Sequence, residues 1–169
     1  MDNQNQVVSY EEKVVSYLKE KGLHISFAES CTGGLATANL VSVSGSSAVL
    51  NESYVTYANE SKIKLLGVDG ETIKEFGVVS EEVAREMAQG VAKASGAEVG
   101  VGITGIAGPD GGTPEKPVGT VCFGFFINGR LDSKTVNFGS IGRNEVRQEA
   151  SRYIFRALDY LLKEEEENN

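Results

Sequence analysis

All three prolines of the chain fall in one stretch, "AGPDGGTPEKPVG" at residues 107–119, together with four glycines. Proline fixes φ and carries no N–H, so neither a helix nor a strand runs through such a segment. Long loops of this composition more often serve function than mere connection. Two uses stay open from the residues alone: a lid or substrate-binding loop, and a wide surface crossover. No internal repeat or composition shift marks a linker, and 169 residues suit one domain over 1–169.

Around that loop the periodicity is readable. Residues 7–21 place Val7, Val14, Val15 and Leu18 at helical spacing, which predicts a helix ending at Gly22. "HISFAES" alternates like a strand, and "CTGGLATANLVSVSG" predicts a tight turn and a helix ending at Gly45. Residues 48–58 are rich in β-formers and read as a strand, and 59–68 as a short helix. Residues 80–96 give the clearest helix, with Ser80 as N-cap and Val83, Met87, Val91 and Ala94 on one face. "EVGVGITGIAG" (98–108) is a glycine-spaced strand running into the proline loop. Residues 120–129 and 130–138 form a hairpin turning at Asn128–Gly129. The stretch 143–167 is a long amphipathic helix with Val146, Tyr153, Ile154, Ala157, Leu158 and Leu161 inward. Crossover helices combined with a hairpin predict a three-layer α/β/α sandwich on a mixed sheet.

The net charge of −8 argues against a general nucleic-acid binder, which needs a basic stripe. Residues 1–6 and 164–169, the latter ending the acidic run "KEEEENN", are expected to be frayed ends. Two cysteines make neither a disulfide framework nor a zinc pattern. No apolar run approaches the roughly 20 residues that span a bilayer. With no basic and apolar leader at the start, the expected location is the cytoplasm, away from membranes.

Four segments could carry chemistry. Ser30 and Cys31 stand where a strand gives way to a helix, and sites in α/β proteins favour the carboxyl ends of strands. Gly33 and Gly34 would let a ligand approach the backbone, and a helix start offers N–H groups to an anion. The plain alternative is that Ser30 only caps the helix, worth about 1 kcal/mol. The single histidine, His24, begins the same strand, roughly 20 Å from Ser30 when extended. A Ser-His or Cys-His arrangement is therefore improbable, and lysine is the remaining kind of base. Lys62 lies at a second strand-to-helix junction, with Tyr57 and Asn59 before it. Its plain reading is a solvated lysine, although the first turn of a helix disfavours a cation. Thr104 and Gly105 follow a third strand. Arg143 and Arg147 open the last helix and suit phosphate or carboxylate, or else exposed pairing with Glu145 or Glu149.

These segments also carry a resemblance. "AESCTGGLA", "YVTYANESKIKLLGV", "VSEEVAREMAQG", "GITGIAGPDGGTPEKPVGTV" and a closing "R…EVR" resemble the CinA C-terminal domain family over roughly residues 8–162. The approach to the last helix, "FGSIGRNEVR", departs from the Gly-Asp-Arg-like pattern of many relatives. The resemblance implies an amidohydrolase acting on a linear carboxamide without cofactor or metal, namely nicotinamide mononucleotide deamidase. Carried over by motif, Ser30 would be the nucleophile, Lys62 its base, and Tyr57 a helper. Cys31, Thr32, Gly33, Gly34, Asn59, Thr104 and Gly105 would contact substrate or the developing oxyanion. Arg143 would meet the phosphate. Many relatives also carry a second domain that this chain lacks, so it resembles the stand-alone form. The expected assembly is a homo-oligomer, a dimer in the simplest case. The competing class is a non-catalytic nucleotide-binding or interaction module, linked by the family's name to competence or DNA damage.

Overall fold

The computed structural model describes residues 8–167. Five strands form β1 (Ile25–Glu29), β2 (Tyr54–Val55), β3 (Val99–Gly105), β4 (Thr120–Ile127) and β5 (Arg130–Asn137). They make one sheet in the order β2-β1-β3-β4-β5. β1 runs parallel to β2 and β3, while β4 and β5 are antiparallel additions. The helices are α1 (Tyr10–Lys21), α2 (Leu35–Val41), α3 (Asn59–Leu66), α4 (Gly70–Phe76), α5 (Glu81–Ser95) and α6 (Arg143–Glu167). α1, α2 and α6 cover one face of the sheet and α3, α4 and α5 the other, the expected three-layer α/β/α sandwich.

The strand period decides which residues meet which layer. Ile25 and Phe27 of β1, with Val99, Val101 and Ile103 of β3, pack under α1, α2 and α6. Each such fully buried side chain contributes about 1.5–3 kcal/mol. The glycines between them serve the opposite face. A Cβ at Gly100 would sit 2.1 Å from the Ala88 carbonyl oxygen, and one at Gly102 2.3 Å from that of Ala84. Helix α5 thus lies directly on the backbone of β3, which explains the Gly-spaced run.

The first strand neighbours β2 on one side and β3 on the other, with connections leaving in opposite directions. This makes a switch point whose crevice opens at the carboxyl ends of the strands. Ser30, Gly105 and the residues after Val55 all emerge there.

Several elements differ from the sequence reading. The strand expected over 48–58 shrinks to Tyr54–Val55, preceded by a 3₁₀ turn at Ser46–Ala48. Side chains replace the ladder just upstream: the Phe27 N–H donates to Ser53 Oγ, and Ser26 Oγ donates to the Glu52 carbonyl. Helix α2 begins at Leu35, because Gly33 and Gly34 take φ of 60° and 98°, outside the right-handed helix. Helix α4 has no counterpart in the reading. Asp69 caps it, accepting from the Glu71 N–H, and Glu86 of α5 accepts from the Asp69 N–H and Thr72 hydroxyl. Ala94 is exposed rather than on the buried face of α5.

The end expected to fray from 164 onward instead continues α6 to Glu167. Arg130 pairs with Glu164 and Glu165, and Lys21 with Glu166, which gives those carboxylates partners on the fold. Residues 1–6 and 168–169, and with them Val7, lie outside the described residues. The hairpin turns at Asn128–Gly129 as expected, both with positive φ.

Candidate active site

Lys62 is the one lysine or arginine buried among the described residues. It is fully buried, at 0% exposure, and no carboxylate among the described residues pairs with it. It projects from the first turn of α3 back toward the end of β1. Its Nζ donates to the Thr56 carbonyl at 2.7 Å and the Tyr57 carbonyl at 3.2 Å, and lies 3.1 Å from Ser30 Oγ. Burial pushes the Lys62 ammonium below the ordinary lysine value. A neutral amine keeps two N–H bonds for the two carbonyls. In that form its lone pair would be left to accept from the Ser30 hydroxyl, the reverse of the ammonium's donation to Ser30 Oγ.

Ser30 follows β1 directly, its N–H bonded to the Ile103 carbonyl at 3.0 Å. It is not a helix cap. Glu29 performs that task from the strand. Its fully buried carboxylate accepts from the N–H groups of Gly34, Ala36 and Thr37 and from the Thr37 hydroxyl. The helix start that the sequence offered to an anion is therefore already occupied by a carboxylate. Glu29 was missed in the sequence because it reads as one more strand residue. Its signal is the placement of an acid just before a Gly-Gly helix start.

Of the consecutive backbone N–H groups from Ser30 to Thr37, only those of Cys31 and Thr32 have no acceptor among the described residues. Of the two, Cys31 borders the cleft, and an unspent N–H beside a nucleophile is what a developing oxyanion needs. The Cys31 thiol cannot compete as nucleophile. Burial pushes it up to about 12, and the residue is only 5% exposed.

Ser30 and Cys31 border an open cleft of about 440 Å³. Tyr57, Gly105, Lys116 and Arg143 are also on its wall, with Asp110 and Gly111 of the proline loop. Gly105 has no space for a side chain: a Cβ would lie 2.8 Å from Val121 Cγ2 and 3.0 Å from Cys31 Sγ. The proline loop is tied down at both ends. Arg143 donates to the Gly108 carbonyl at 2.7 Å, and Lys116 Nζ to the Phe76 carbonyl at 2.6 Å.

The remaining sequence candidates are placed less directly. Tyr57 reaches Lys62 through its carbonyl, while its exposed ring sends the hydroxyl to Arg143, which donates to it at 2.9 Å. Thr104 is 1% exposed, its hydroxyl donates to the Val78 carbonyl, and it does not line the cleft. Thr32 is fully buried and does not border the cleft. Gly33 and Gly34 shape the turn rather than line the cleft, and Asn59 is an exposed first residue of α3. Arg147 forms no ion pair with Glu145 or Glu149; it holds the Cys31 and Thr32 carbonyls. Lys116 was missed within the proline loop, where its charge had no visible partner.

The model of the CinA C-terminal domain matches residues 7–163. A CinA-like protein of Kosmotoga olearia is 51% identical over 153 residues, covering 90% of this chain and 36% of that protein. A CinA-like protein of Dictyoglomus turgidum is 52% identical over 139 residues, covering 82% and 34%. The chain therefore spans little more than a third of the length of these curated relatives. The crystal structure of competence/damage inducible protein CihA from Agrobacterium tumefaciens superposes with a TM-score of 0.86 at 41% identity, covering 91% of this chain and 95% of that one. A CinA superfamily protein from Klebsiella pneumoniae gives 0.88 at 32% identity, covering 92% and 96%.

Proposed function

The chain belongs to the CinA C-terminal domain family, and from that premise we propose that it is an amidohydrolase working through Ser30 and Lys62. The substrate is nicotinamide mononucleotide, which is converted with water to nicotinate mononucleotide and ammonia. The observation that carries this reading is the buried, carbonyl-tethered Lys62 amine 3.1 Å from Ser30 Oγ. A module that only bound nucleotides would have no use for an uncompensated lysine in the interior, since burying one is costly.

Neutral Lys62 takes the Ser30 proton as Oγ attacks the carboxamide carbon. The oxygen of the tetrahedral species gathers its charge at the Cys31 N–H. Protonated Lys62 then gives its proton to the departing nitrogen, the C–N bond breaks, and ammonia leaves an acyl ester on Ser30. Water, losing a proton to Lys62, cleaves that ester; the carboxylate departs and Ser30 regains its proton. Tyr57 acts in this scheme by its carbonyl, which orients the Lys62 amine. Arg143 and Lys116 provide the cationic heads for the phosphate in a protein that is otherwise acidic.

The proposed assembly is a dimer. Val55, Ile63 and Leu65 are exposed on the edge strand and on α3, apolar surface that a second copy would cover. Sedimentation at micromolar concentration tests it, a monomer counting against it. The proposed setting is the cytoplasm, where pyridine nucleotides are recycled. No helix among the described residues is long and apolar enough to cross a membrane.

The test of function is ammonia release from nicotinamide mononucleotide by the purified protein, with nicotinamide riboside as the phosphate-free comparison. Release from the nucleotide in preference to the riboside supports the reading. Tight binding of the nucleotide without any ammonia assigns the chain to the binding-module class instead.

A further inference from the structure

Each nitrogen of the Arg147 guanidinium donates to protein. Its Nε donates to the Cys31 carbonyl at 3.1 Å, its Nη2 to the Thr32 carbonyl at 3.0 Å, and its Nη1 to Asn144 Oδ1 at 3.0 Å. Arg147 is also absent from the cleft wall. It is instead a clamp on two successive peptide units of the turn carrying the nucleophile.

Peptide geometry gives the clamp a direction. In a trans peptide the C=O and the following N–H point opposite ways. Holding the Cys31 carbonyl toward Arg147 turns the Thr32 N–H away from it. Holding the Thr32 carbonyl likewise turns the Gly33 N–H away, and that N–H donates to the Ser30 carbonyl at 3.1 Å. The Ser30 carbonyl belongs to the peptide that carries the Cys31 N–H, so this second amide is fixed in turn. These two N–H groups are the only unspent amides of the turn among the described residues. Glu29 has already absorbed the amides of the helix start, so the turn cannot borrow charge stabilisation from α2.

We propose that Arg147 is a positioning residue for the oxyanion donor: by gripping the Cys31 and Thr32 carbonyls from α6 it fixes, through the Gly33 N–H and the Ser30 carbonyl, the Cys31 N–H in the orientation that receives the developing charge. This rests on Ser30 being the nucleophile of a hydrolase. Arg143, one turn earlier on α6, grips Tyr57 and Gly108. The start of α6 therefore joins the nucleophile turn, the segment before Lys62 and the proline loop. The two arginines divide the work: Arg147 acts on the transition state, and Arg143 faces the cleft.

The experiment compares the unaltered protein with Arg147→Lys, Arg147→Ala and the exposed-helix control Arg152→Lys. Two readouts are taken: ammonia release from nicotinamide mononucleotide, and the rate at which a fluorophosphonate labels Ser30. The fluorophosphonate needs the nucleophile and oxyanion donor but no pyridine substrate. Losing one preorganised oxyanion donor typically costs 10²–10³ in kcat. Arg147→Lys keeps the charge but offers a single nitrogen in place of the planar fork whose Nε and Nη2 each meet one carbonyl. It is expected to lower kcat and the labelling rate at least tenfold, with KM within threefold and Tm close to that of the unaltered protein. Guanidinium added to Arg147→Ala restores part of both rates, which a purely structural defect would not show. Arg152→Lys leaves both unchanged. Labelling of folded Arg147→Lys within twofold of the unaltered rate overturns the proposal. Loss of fold in Arg147→Lys also overturns it, in favour of a purely structural role, as does failure of the unaltered protein to label at Ser30. If Ser30 labels in an Arg147-dependent way but the nucleotide is not hydrolysed, the substrate assignment falls and the role of Arg147 stands.

Discussion

Lys62 Nζ lies 3.1 Å from Ser30 Oγ although the two residues are separated by 32 positions and by helix α2. Two neighbouring carbonyls fix the amine, and no carboxylate among the described residues holds its proton. A base of this kind is replaceable neither by a permanent cation nor by a hydrocarbon. Lys62→Arg and Lys62→Met are each expected to lower kcat by at least about 10², the lower range for a general base. Steady-state ammonia release measures it, with circular dichroism to confirm the fold.

The pH dependence follows from the direction of the Lys62 shift. Activity needs the neutral amine, so kcat/KM rises with pH through one ionisation that lies below the ordinary lysine value of 10.5. Stability moves the same way. Between the lowered folded value and 10.5 the unfolded chain binds the proton that the folded one has released, so the folded form gains as pH rises. Below that window both states hold the proton and the penalty for burying the charge is fully present. The stability of the unaltered protein relative to Lys62→Met is therefore expected to increase with pH up to 10.5. Urea unfolding across that range checks it; a flat difference contradicts it.

Cys31 is next to the nucleophile yet expected to be inert. With its thiol pushed up to about 12, almost none is thiolate at neutral pH. Cys31→Ala should retain kcat within about threefold, and iodoacetamide should leave activity intact. Inactivation by alkylation at Cys31 would count against this account of the turn.

Glu29 should matter for the fold more than its strand position suggests. Its carboxylate accepts four hydrogen bonds, and a glutamine would turn an N–H₂ toward two of those donors. Glu29→Gln is expected to cost roughly 1.5–3 kcal/mol or more, the range for hydrogen bonds to a charged group. Thermal unfolding reads this directly as a fall in Tm.

Tyr57 and Arg143 are expected to act on binding. The Tyr57 hydroxyl has Arg143 as its partner, while the contact with Lys62 is made by the backbone. Tyr57→Phe leaves the backbone contact in place, so KM should rise severalfold with kcat nearly unchanged. A fall in kcat of a hundredfold or more would make the hydroxyl part of the proton path.

The layering and hairpin were legible because their signals are local: apolar spacing at 3.6 and 2, and Asn-Gly at the turn. The candidate dyad was half legible. The absence of a usable histidine narrowed the base to lysine, but burial of Lys62 depends on α3 packing against α5 and turning the side chain back to Ser30, which no window of sequence reports. The short β2 was not legible, since Ser53 and Ser26 replace ladder bonds with side-chain ones. Arg147 showed only its charge. Its task became visible once two carbonyls 115 and 116 residues upstream were seen to end on it. Thr104 shows the converse: its position after a strand suggested the cleft, but the strand pleat aims its hydroxyl at Val78.

The most direct measurement of the central claim is ammonia release from saturating nicotinamide mononucleotide by Ser30→Ala beside the unaltered protein. The substitution removes one oxygen at a half-buried position and should leave the fold untouched. The account predicts turnover by the unaltered protein and a loss of at least about 10³ in Ser30→Ala, within the range for removing a nucleophile. Turnover by folded Ser30→Ala within tenfold of the unaltered rate would contradict it.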